Sequence, residues 1–216
     1  MKMNNKFSWE TFNAMPVVGI MRNFPADIVA EIIPFYQKAG FTTLEITMNS
    51  DGAADIISEL VDAYPDLNIG AGTVCEVDEL QIALKAGASF IVTPILNEAV
   101  ITHCVEKGIP VFPGALTPTE IYRSWKLGAD VVKIFPATQF GPAYLKELKG
   151  PLNKIKLLPT GGVSLDNIAA FFKAGATGVG MGSTLFDKQM MAKKDYAAMS
   201  QHFKNIADRV KQSVGS

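Results

Sequence analysis

Cysteine and histidine are scarce in this sequence, which has two of each among its 216 residues. Two cysteines, Cys75 and Cys104, cannot build a disulfide framework, and reduced thiols are typical of a cytoplasmic protein. The two histidines, His103 and His202, fall in predicted helices away from any strand end, so no histidine cluster is expected. The chain therefore offers few ligands for a metal, and we predict a mechanism that uses none.

An excess of charge and long apolar runs are missing as well. The 20 Lys and Arg residues are balanced by 21 Asp and Glu residues, and no basic tract is present, which argues against nucleic acid as the main partner. No apolar run is long enough to cross a bilayer, and the first residues, Met1–Lys6, lack the apolar region of a signal peptide. We therefore expect a cytoplasmic protein without a membrane or nucleic-acid partner.

Hydrophobic residues are plentiful, at 48% of the chain, which is enough for the core of a single domain over residues 1–216. One local pattern recurs: a helix-like segment ends in a lysine and a glycine, and an apolar strand follows. Its glycines are Gly40, Gly87, Gly108, Gly128 and Gly175. Lysine complements the negative C-terminus of a helix, and glycine takes the left-handed position after it. The pattern therefore predicts an alternation of helices and strands.

Eight apolar segments have the length and composition of buried strands, and amphipathic segments separate them. The predicted strands are Val17–Arg22, Thr43–Thr47, Asn68–Gly72, Phe90–Thr93, Val111–Pro113, Val131–Phe135, Lys156–Pro159 and Gly178–Met181. Strand–helix alternation indicates parallel strands joined by right-handed crossovers. Eight such units favour an α/β fold of the (β/α)8 TIM barrel type, with an open doubly wound sheet as the alternative. Phe7–Met15 is predicted to be an extra N-terminal helix.

The sixth predicted strand carries a lysine in the middle of an apolar run. Because side chains alternate along a strand, Val131, Lys133 and Phe135 share one face. Burial disfavours the charged amine and lowers its pKa, and a neutral lysine amine can form a Schiff base with a carbonyl substrate. An isolated lysine of this kind more often reaches solvent or pairs with a carboxylate. The other strand ends must therefore decide between the two interpretations.

Two further polar groups are expected at the carboxyl ends of strands, where barrels place their catalytic residues. Glu45 points inward with Thr43 and Thr47, and beside Lys133 it becomes a candidate for the proton transfers that form and hydrolyse a Schiff base. Alone, it would more often be a structural carboxylate. Arg22 ends the first strand and offers a forked cation suited to a substrate carboxylate, or is simply a surface arginine.

Glycine-rich ends of the seventh and eighth strands suggest a phosphate site. Gly161-Gly162 and Gly182-Ser183 follow these two strands, and barrels often bind phosphate with the loops in these positions. Glycine lets backbone amides approach an anion closely, and Ser183 adds a hydroxyl donor. The alternative is that these glycines only make tight turns.

These residues lie within motifs that resemble those of the class I aldolases acting on 2-keto-3-deoxy-6-phosphogluconate (KDPG) and 4-hydroxy-2-oxoglutarate (KHG). The resemblance covers nearly the whole chain, with the motifs in the family's order and spacing. The motifs are Leu44–Thr47, Gly70–Val74, Pro113-Gly114, Thr117–Glu120, Lys133–Ala137 and Pro159–Val163.

The resemblance implies an aldolase that cleaves KDPG to pyruvate and glyceraldehyde 3-phosphate, with KHG, cleaved to pyruvate and glyoxylate, as a further candidate substrate. It implies Lys133 as the Schiff-base lysine and Glu45 as the general acid and base. The implied substrate-binding residues are Arg22, Thr73 and Pro94 at the pyruvate end, Phe135 beside the Schiff base, and Thr160, Gly161, Gly162 and Ser183 along the hydroxyl chain and phosphate. No cofactor is implied, and family members are typically homotrimers.

One position departs from the family pattern. Many relatives carry an arginine in a Leu-Arg-Thr run soon after the strand-two glutamate, and here that run is Met48-Asn49-Ser50. We therefore expect Arg22 to hold the substrate carboxylate. Two alternatives remain open from the sequence: an aldolase for 2-keto-3-deoxy-6-phosphogalactonate, and a phosphosugar-binding barrel without lyase activity.

Overall fold

Strands and helices alternate along residues 6–214, which are the residues that the computed structural model describes. The strands are β1 (Val17–Met21), β2 (Thr43–Thr47), β3 (Asn68–Gly72), β4 (Ile91–Val92), β5 (Val111–Phe112), β6 (Gly114–Ala115), β7 (Val132–Ile134), β8 (Leu157–Pro159) and β9 (Val179–Met181). The helices are α1 (Trp9–Ala14), α2 (Ala26–Lys38), α3 (Ala53–Ala63), α4 (Val77–Ala86), α5 (Glu98–Glu106), α6 (Pro118–Lys126), α7 (Gly141–Lys149), α8 (Ile168–Lys173), α9 (Lys188–Ala192) and α10 (Tyr196–Val214). The expectation about a signal peptide concerns Met1–Lys6, of which Met1–Asn5 lie outside this range.

The strands pair in parallel and form two sheets. The larger sheet has the order β5-β4-β3-β2-β1-β9, and the smaller has the order β6-β7-β8. The first and last strands lie side by side, with Val17 opposite Val179. A single bridge between Thr160 and Gly180 links the end of β8 to β9. Because the larger sheet runs in sequential order without a reversal, it contradicts the doubly wound alternative.

The predicted strand positions are confirmed to within one or two residues, except that the fifth strand is divided. Val111–Phe112 pairs with β4, and Gly114–Ala115 pairs with β7, with Pro113 between them. Proline has no N–H to donate, so a ladder is readily interrupted there. The Pro113 carbonyl still accepts a hydrogen bond of 2.9 Å from the Lys133 N–H. This bond helps to fix the strand that carries Lys133.

The two faces of the strands pack in separate hydrophobic clusters, as side-chain alternation predicts. Val132 and Ile134 join the larger cluster, which contains the buried side chains of the helices. Val131 joins a smaller inner cluster that includes Phe12 of α1 and Phe112 of β5. Helix α1 precedes β1 in the chain, and through Phe12 it packs against the inner side chains of the strands.

The helices end in the manner that the recurring lysine–glycine pattern predicts. All five of its glycines, Gly40, Gly87, Gly108, Gly128 and Gly175, have positive φ values. A left-handed residue after a helix satisfies the last carbonyl groups, and glycine adopts it without strain. Over residues 6–214, no helix combines the length and apolarity that a membrane span requires.

Candidate active site

Lys133 lies in the middle of the smaller sheet, on β7. It pairs with Gly114 on one side and with Leu158 on the other. The residue is only 3% exposed, and its Nζ lies 4.9 Å from the centroid of the Phe135 ring. The amine lines a cavity of about 260 Å³ that also contains Arg22 and Phe135. The predicted inward orientation of Lys133 is therefore confirmed.

The charge on Lys133 is disfavoured by its surroundings. Burial is the main cause that lowers the pKa of the amine; the Glu45 carboxylate opposes this effect and the Arg22 guanidinium reinforces it. Cys75, in the loop after β3, raises the pKa slightly. Burial also raises the pKa of Glu45, against the lowering effect of Lys133 and Arg22. Both groups are thus shifted toward their neutral forms.

Glu45 lies on β2 with its side chain turned inward, like those of the buried Thr43 and Thr47. It is 1% exposed, and within the described part of the chain its Oε2 atom has no hydrogen-bond partner. Gly72 on β3 leaves the space for this carboxylate, because a Cβ atom at Gly72 would lie 2.3 Å from Glu45 Oε1. The carboxyl group is therefore buried yet able to form a new hydrogen bond.

Arg22 follows β1 and is held at the mouth of the strands by its neighbours. Its Nη2 donates a hydrogen bond of 3.4 Å to Thr73 Oγ1. The next residue, Asn23, donates its backbone N–H to Ser50 Oγ at 2.8 Å, and the Ser50 and Thr47 hydroxyls are 2.9 Å apart. Ser50 thus joins the loop after β1 to the loop after β2, a role that no sequence pattern predicts.

Pro94 is placed differently from the other predicted pyruvate-end residues. It does not line the cavity. Instead its backbone packs under Gly114, where a Cβ atom would lie 2.3 Å from the Pro94 carbonyl oxygen. The adjacent Thr93 accepts a hydrogen bond of 3.3 Å from the Gly114 N–H. In this structure Pro94 therefore supports β6 beside Lys133.

The glycine-rich loops meet at the outer part of the cavity. Gly161 and Gly162 have positive φ values of 94° and 72°, and they line the cavity together with Gly182 and Ser183. Thr160 lies beneath them, and its Oγ1 occupies the space above Gly180, where a Cβ atom would be only 2.3 Å away. The two predicted phosphate loops are therefore brought together across the bridge between β8 and β9.

Seven of the ten predicted site residues line this cavity. They are Arg22, Lys133, Phe135, Thr160, Gly161, Gly162 and Ser183. Glu45 and Thr73 lie next to that set through their interactions with Lys133 and Arg22. Lining residues that were not predicted include Asn23 and Phe24, which a search just past the end of β1 would find, and Lys188 at the start of α9.

Side chains that could hold a metal ion do not converge in residues 6–214, where no group of three or more His, Cys, Asp or Glu has the required geometry. The arrangement instead combines a buried amine, a buried carboxyl group and two glycine loops. A carbonyl compound that carries an anionic group away from its carbonyl would match these features.

Comparisons with known proteins find relatives among the aldolases. A model of the KDPG and KHG aldolase family matches residues 9–202. The chain is 37% identical over 180 residues to a 2-dehydro-3-deoxy-6-phosphogalactonate aldolase of Escherichia coli K12, covering 82% of this chain and 87% of that protein. It is 32% identical over 195 residues to a 2-dehydro-3-deoxy-phosphogluconate aldolase of Treponema pallidum, covering 88% and 90%. A solved structure of native KDPGal is similar, with a TM-score of 0.87 and 31% identity over 98% of this chain and 100% of that one.

Proposed function

Because the chain belongs to the KDPG and KHG aldolase family and is thus a carbon–carbon lyase, we propose that Lys133 is the residue through which it cleaves KDPG to pyruvate and glyceraldehyde 3-phosphate. The observation that carries this proposal is the position of the Lys133 amine. It is buried, its pKa is lowered, and it lines a cavity that extends to the glycine loops. A lysine in such a setting is a nucleophile toward ketones.

The proposed reaction begins with attack of the neutral Lys133 amine on the C2 ketone of KDPG. Loss of water gives an iminium, which accepts the electron pair of the C3–C4 bond when the C4 hydroxyl loses its proton. Glyceraldehyde 3-phosphate leaves, and the resulting enamine is protonated at C3. Water then hydrolyses the iminium, releasing pyruvate and the amine. No cofactor enters these steps, because the iminium nitrogen itself takes up the electrons.

Glu45 is the proposed proton carrier for these steps. Its raised pKa allows the carboxyl group to take up and release protons nearer to neutral pH than an exposed glutamate could. The buried Oε2 atom, which has no partner in residues 6–214, is available to the substrate or to a water molecule. One carboxyl group placed in this way could serve both the C4 hydroxyl and the carbinolamine.

The two ends of the substrate are assigned to opposite parts of the cavity. We place the carboxylate at Arg22, a forked cation that Thr73 holds in position. We assign Pro94 to the pyruvate end as well, where it would act indirectly by supporting β6 beside Lys133. We place the hydroxyl chain and phosphate at Thr160, Gly161, Gly162 and Ser183, which line the cavity and would offer backbone amides and a hydroxyl group to an anion.

We also propose that the two sheets are parts of one closed (β/α)8 barrel within a single domain over residues 1–216. The pairing of β1 with β9, the bridge between Thr160 and Gly180, and the short link through Pro113 support closure. Helix α1 would then cover the end of the barrel opposite the cavity, as an extra N-terminal helix.

Tyr122 and Trp125 are large, exposed and adjacent on α6, with ring centroids 5.6 Å apart. Exposed aromatic side chains of this kind often mark a protein interface, and we propose that this face contributes to a homotrimer. Cys75 and Cys104 are free thiols, which supports a reducing, cytoplasmic location.

A second candidate substrate is 2-keto-3-deoxy-6-phosphogalactonate, an epimer of KDPG. The phosphogalactonate relative, at 37% identity, supports this alternative. Both substrates would use the same Schiff base. A comparison of kcat/KM for the two epimers and for KHG separates these possibilities, and we expect KDPG to give the highest value.

Trapping with borohydride tests the lysine assignment directly. Incubation with pyruvate and sodium borohydride should attach a reduced pyruvate adduct to Lys133, identified by peptide mass analysis. Lys149 is the matched internal control: burial lowers its pKa too, but its amine already donates to the carbonyl oxygens of Asn153 and Ile155. The substitution Lys133→Met should abolish trapping and cleavage while preserving the circular dichroism spectrum. Labelling of Lys149 in place of Lys133, or retained cleavage by Lys133→Met, would refute the proposal.

A further inference from the structure

The cavity is lined by three cationic side chains and, within the described residues, by no acidic one. Two of the cations, Arg22 and Lys133, lie beside Glu45, and their charges act on its pKa. The third, Lys188, is the first residue of α9 and lies beyond the loop that begins with Gly182 and Ser183. The proposed mechanism gives Lys188 no role.

The loop that leads to Lys188 is held in place from two sides. Thr184 Oγ1 donates a hydrogen bond of 2.5 Å to the Val163 carbonyl oxygen, which belongs to the loop after β8. On the other side, His202 Nε2 of α10 lies 2.9 Å from the Thr184 carbonyl oxygen. The two glycine loops are therefore tied to each other and to α10.

The segment between this loop and Lys188 is anchored by a buried aromatic ring. The ring of Phe186 packs against Tyr36 and Phe203, at centroid distances of 5.6 and 5.8 Å. The N–H groups of Leu185 and Phe186 both donate to the Gly182 carbonyl oxygen, at 2.9 and 2.8 Å. Lys188 therefore extends from a fixed turn, and little ordering of the backbone is needed when it binds a ligand.

The acidic residue nearest to Lys188 in the sequence, Asp187, already accepts hydrogen bonds from the backbone. Its Oδ1 atom accepts hydrogen bonds from the N–H groups of Gln189 and Met190, at 2.8 and 2.9 Å. In residues 6–214 no carboxylate lies within ion-pair distance of the Lys188 amine. Lys188 is thus an exposed cation that lines the cavity and has no ion-pair partner in residues 6–214.

We infer that Lys188 is the specificity residue that binds the terminal phosphate of the substrate, an inference that rests on the proposed phosphosugar function. A lysine ammonium provides a point charge and three donors for phosphate oxygens. The amides at Gly161, Gly162 and Ser183 would contact other oxygens of the same group. Arg22 and Lys188 would then hold the two anionic ends, with Lys133 between them.

The test compares Lys188→Met with the parent on two substrates that differ only in the phosphate: KDPG and 2-keto-3-deoxygluconate. We expect the KM for KDPG to rise about tenfold, as for the loss of one charge-assisted hydrogen bond at a partly solvated site, with kcat within about twofold. The KM for the unphosphorylated substrate should not change. Lys188→Arg should restore most of the affinity for KDPG, and Lys193→Met, at the exposed end of α9, should behave as the parent.

Exchange of the methyl protons of pyruvate with deuterium from solvent separates this inference from the proposed function. This partial reaction uses Lys133 but no phosphate, so Lys188→Met should exchange at the parental rate. If the parent cleaves KDPG and exchanges pyruvate but Lys188→Met keeps the parental KM for KDPG, the role of Lys188 is overturned and the proposed function stands. Equal increases in KM for both substrates would also overturn it. If the parent neither exchanges nor cleaves, both proposals fall.

Discussion

The protonation of Lys133 depends on two side chains that act on it in opposite directions. Burial lowers the pKa of the amine, the Glu45 carboxylate raises it, and the Arg22 guanidinium lowers it further. Only the neutral amine attacks a ketone, so the rate of imine formation increases with pH through the pKa of Lys133. In the proposed mechanism, the surroundings of Lys133 would therefore set the pH at which the protein becomes reactive.

Substitution of Glu45 and substitution of Arg22 should shift this pH dependence in opposite directions. Glu45→Gln removes a negative charge, so we expect a lower pKa for Lys133 and an imine-formation midpoint at lower pH. Arg22→Gln removes a positive charge, so the midpoint should move to higher pH. The measurement is the rate of borohydride-trapped adduct with pyruvate between pH 5 and pH 10, roughly the range over which a lowered lysine pKa is found. Shifts of the same sign in both variants would contradict this account.

The carboxylate of Glu45 depends in turn on the absence of a side chain at Gly72. A Cβ atom there would lie 2.3 Å from Glu45 Oε1, so Gly72→Ala should displace the carboxyl group. We expect kcat for cleavage to fall by about a hundredfold, the scale reported for a displacement near 1 Å, while pyruvate still labels Lys133. Gly150→Ala is the control, because its Cβ would meet nothing closer than 3.3 Å. Unchanged kcat in Gly72→Ala would remove Glu45 from the proton transfers.

Single residues differed in how far the sequence could predict them. The inward orientation of Lys133 and Glu45 follows from strand alternation, because that rule is local. The contacts of Ser50 with Asn23 and Thr47 join two loops, and nothing local to any one of the three residues indicates them. Pro94 was assigned to the pyruvate end by resemblance, yet its backbone packs against Gly114.

At the scale of elements, the loops after β1 and β2 act together because Ser50 joins them. Loss of this hydroxyl should leave Arg22 less well held, so we expect Ser50→Ala to raise the KM for pyruvate in the exchange reaction by roughly three- to tenfold, the effect of losing about one hydrogen bond. The value of kcat should change little.

Asn49→Ala is the matched control for this variant, because Asn49 is exposed and adjacent in the sequence. It should keep the parental KM. If Asn49→Ala raised the KM more than Ser50→Ala, the substrate carboxylate would be held by the loop after β2, and the assignment to Arg22 would be wrong.

The sequence did not predict that the fifth strand is divided in two. Apolar composition placed one strand over Val111–Pro113, but the chain changes its pairing partner at Pro113, from β4 to β7. Such a change depends on the positions of strands that are distant in sequence. Most of the other strands were predicted because they are short apolar runs that begin or end at glycine, proline or lysine, whereas β2 is an alternating run of polar and apolar residues.

At the scale of the whole molecule, the proposed chemistry and a cluster of buried aromatic residues involve different parts of the strands. Phe12 of α1 is fully buried and packs against Phe112, with ring centroids 6.0 Å apart. Lys133 lies two residues beyond Val131, which belongs to the same inner cluster. The inner cluster and the cavity have no residue in common.

Phe12→Ala should therefore destabilise the protein without altering its chemistry. We expect the free energy of unfolding to fall by about 3–5 kcal/mol, as for other buried phenylalanines, measured by urea denaturation. The kcat of the folded fraction should remain at the parental value, in keeping with a stability role for that end of the strands. Phe140→Ala, at a half-exposed ring, should cost much less. A loss of kcat in Phe12→Ala at temperatures where it stays folded would argue against this separation.

The bridge between Thr160 and Gly180 has a consequence for how the protein would behave before and after it binds a sugar phosphate. Strands β8 and β9 belong to different sheets, and one backbone bridge links the end of β8 to β9. A phosphate bound by the loops after both strands would hold β8 and β9 together at this bridge. Without ligand, the protein should therefore open transiently between β8 and β9. The backbone amides of these two strands should exchange with solvent more slowly once a ligand is bound.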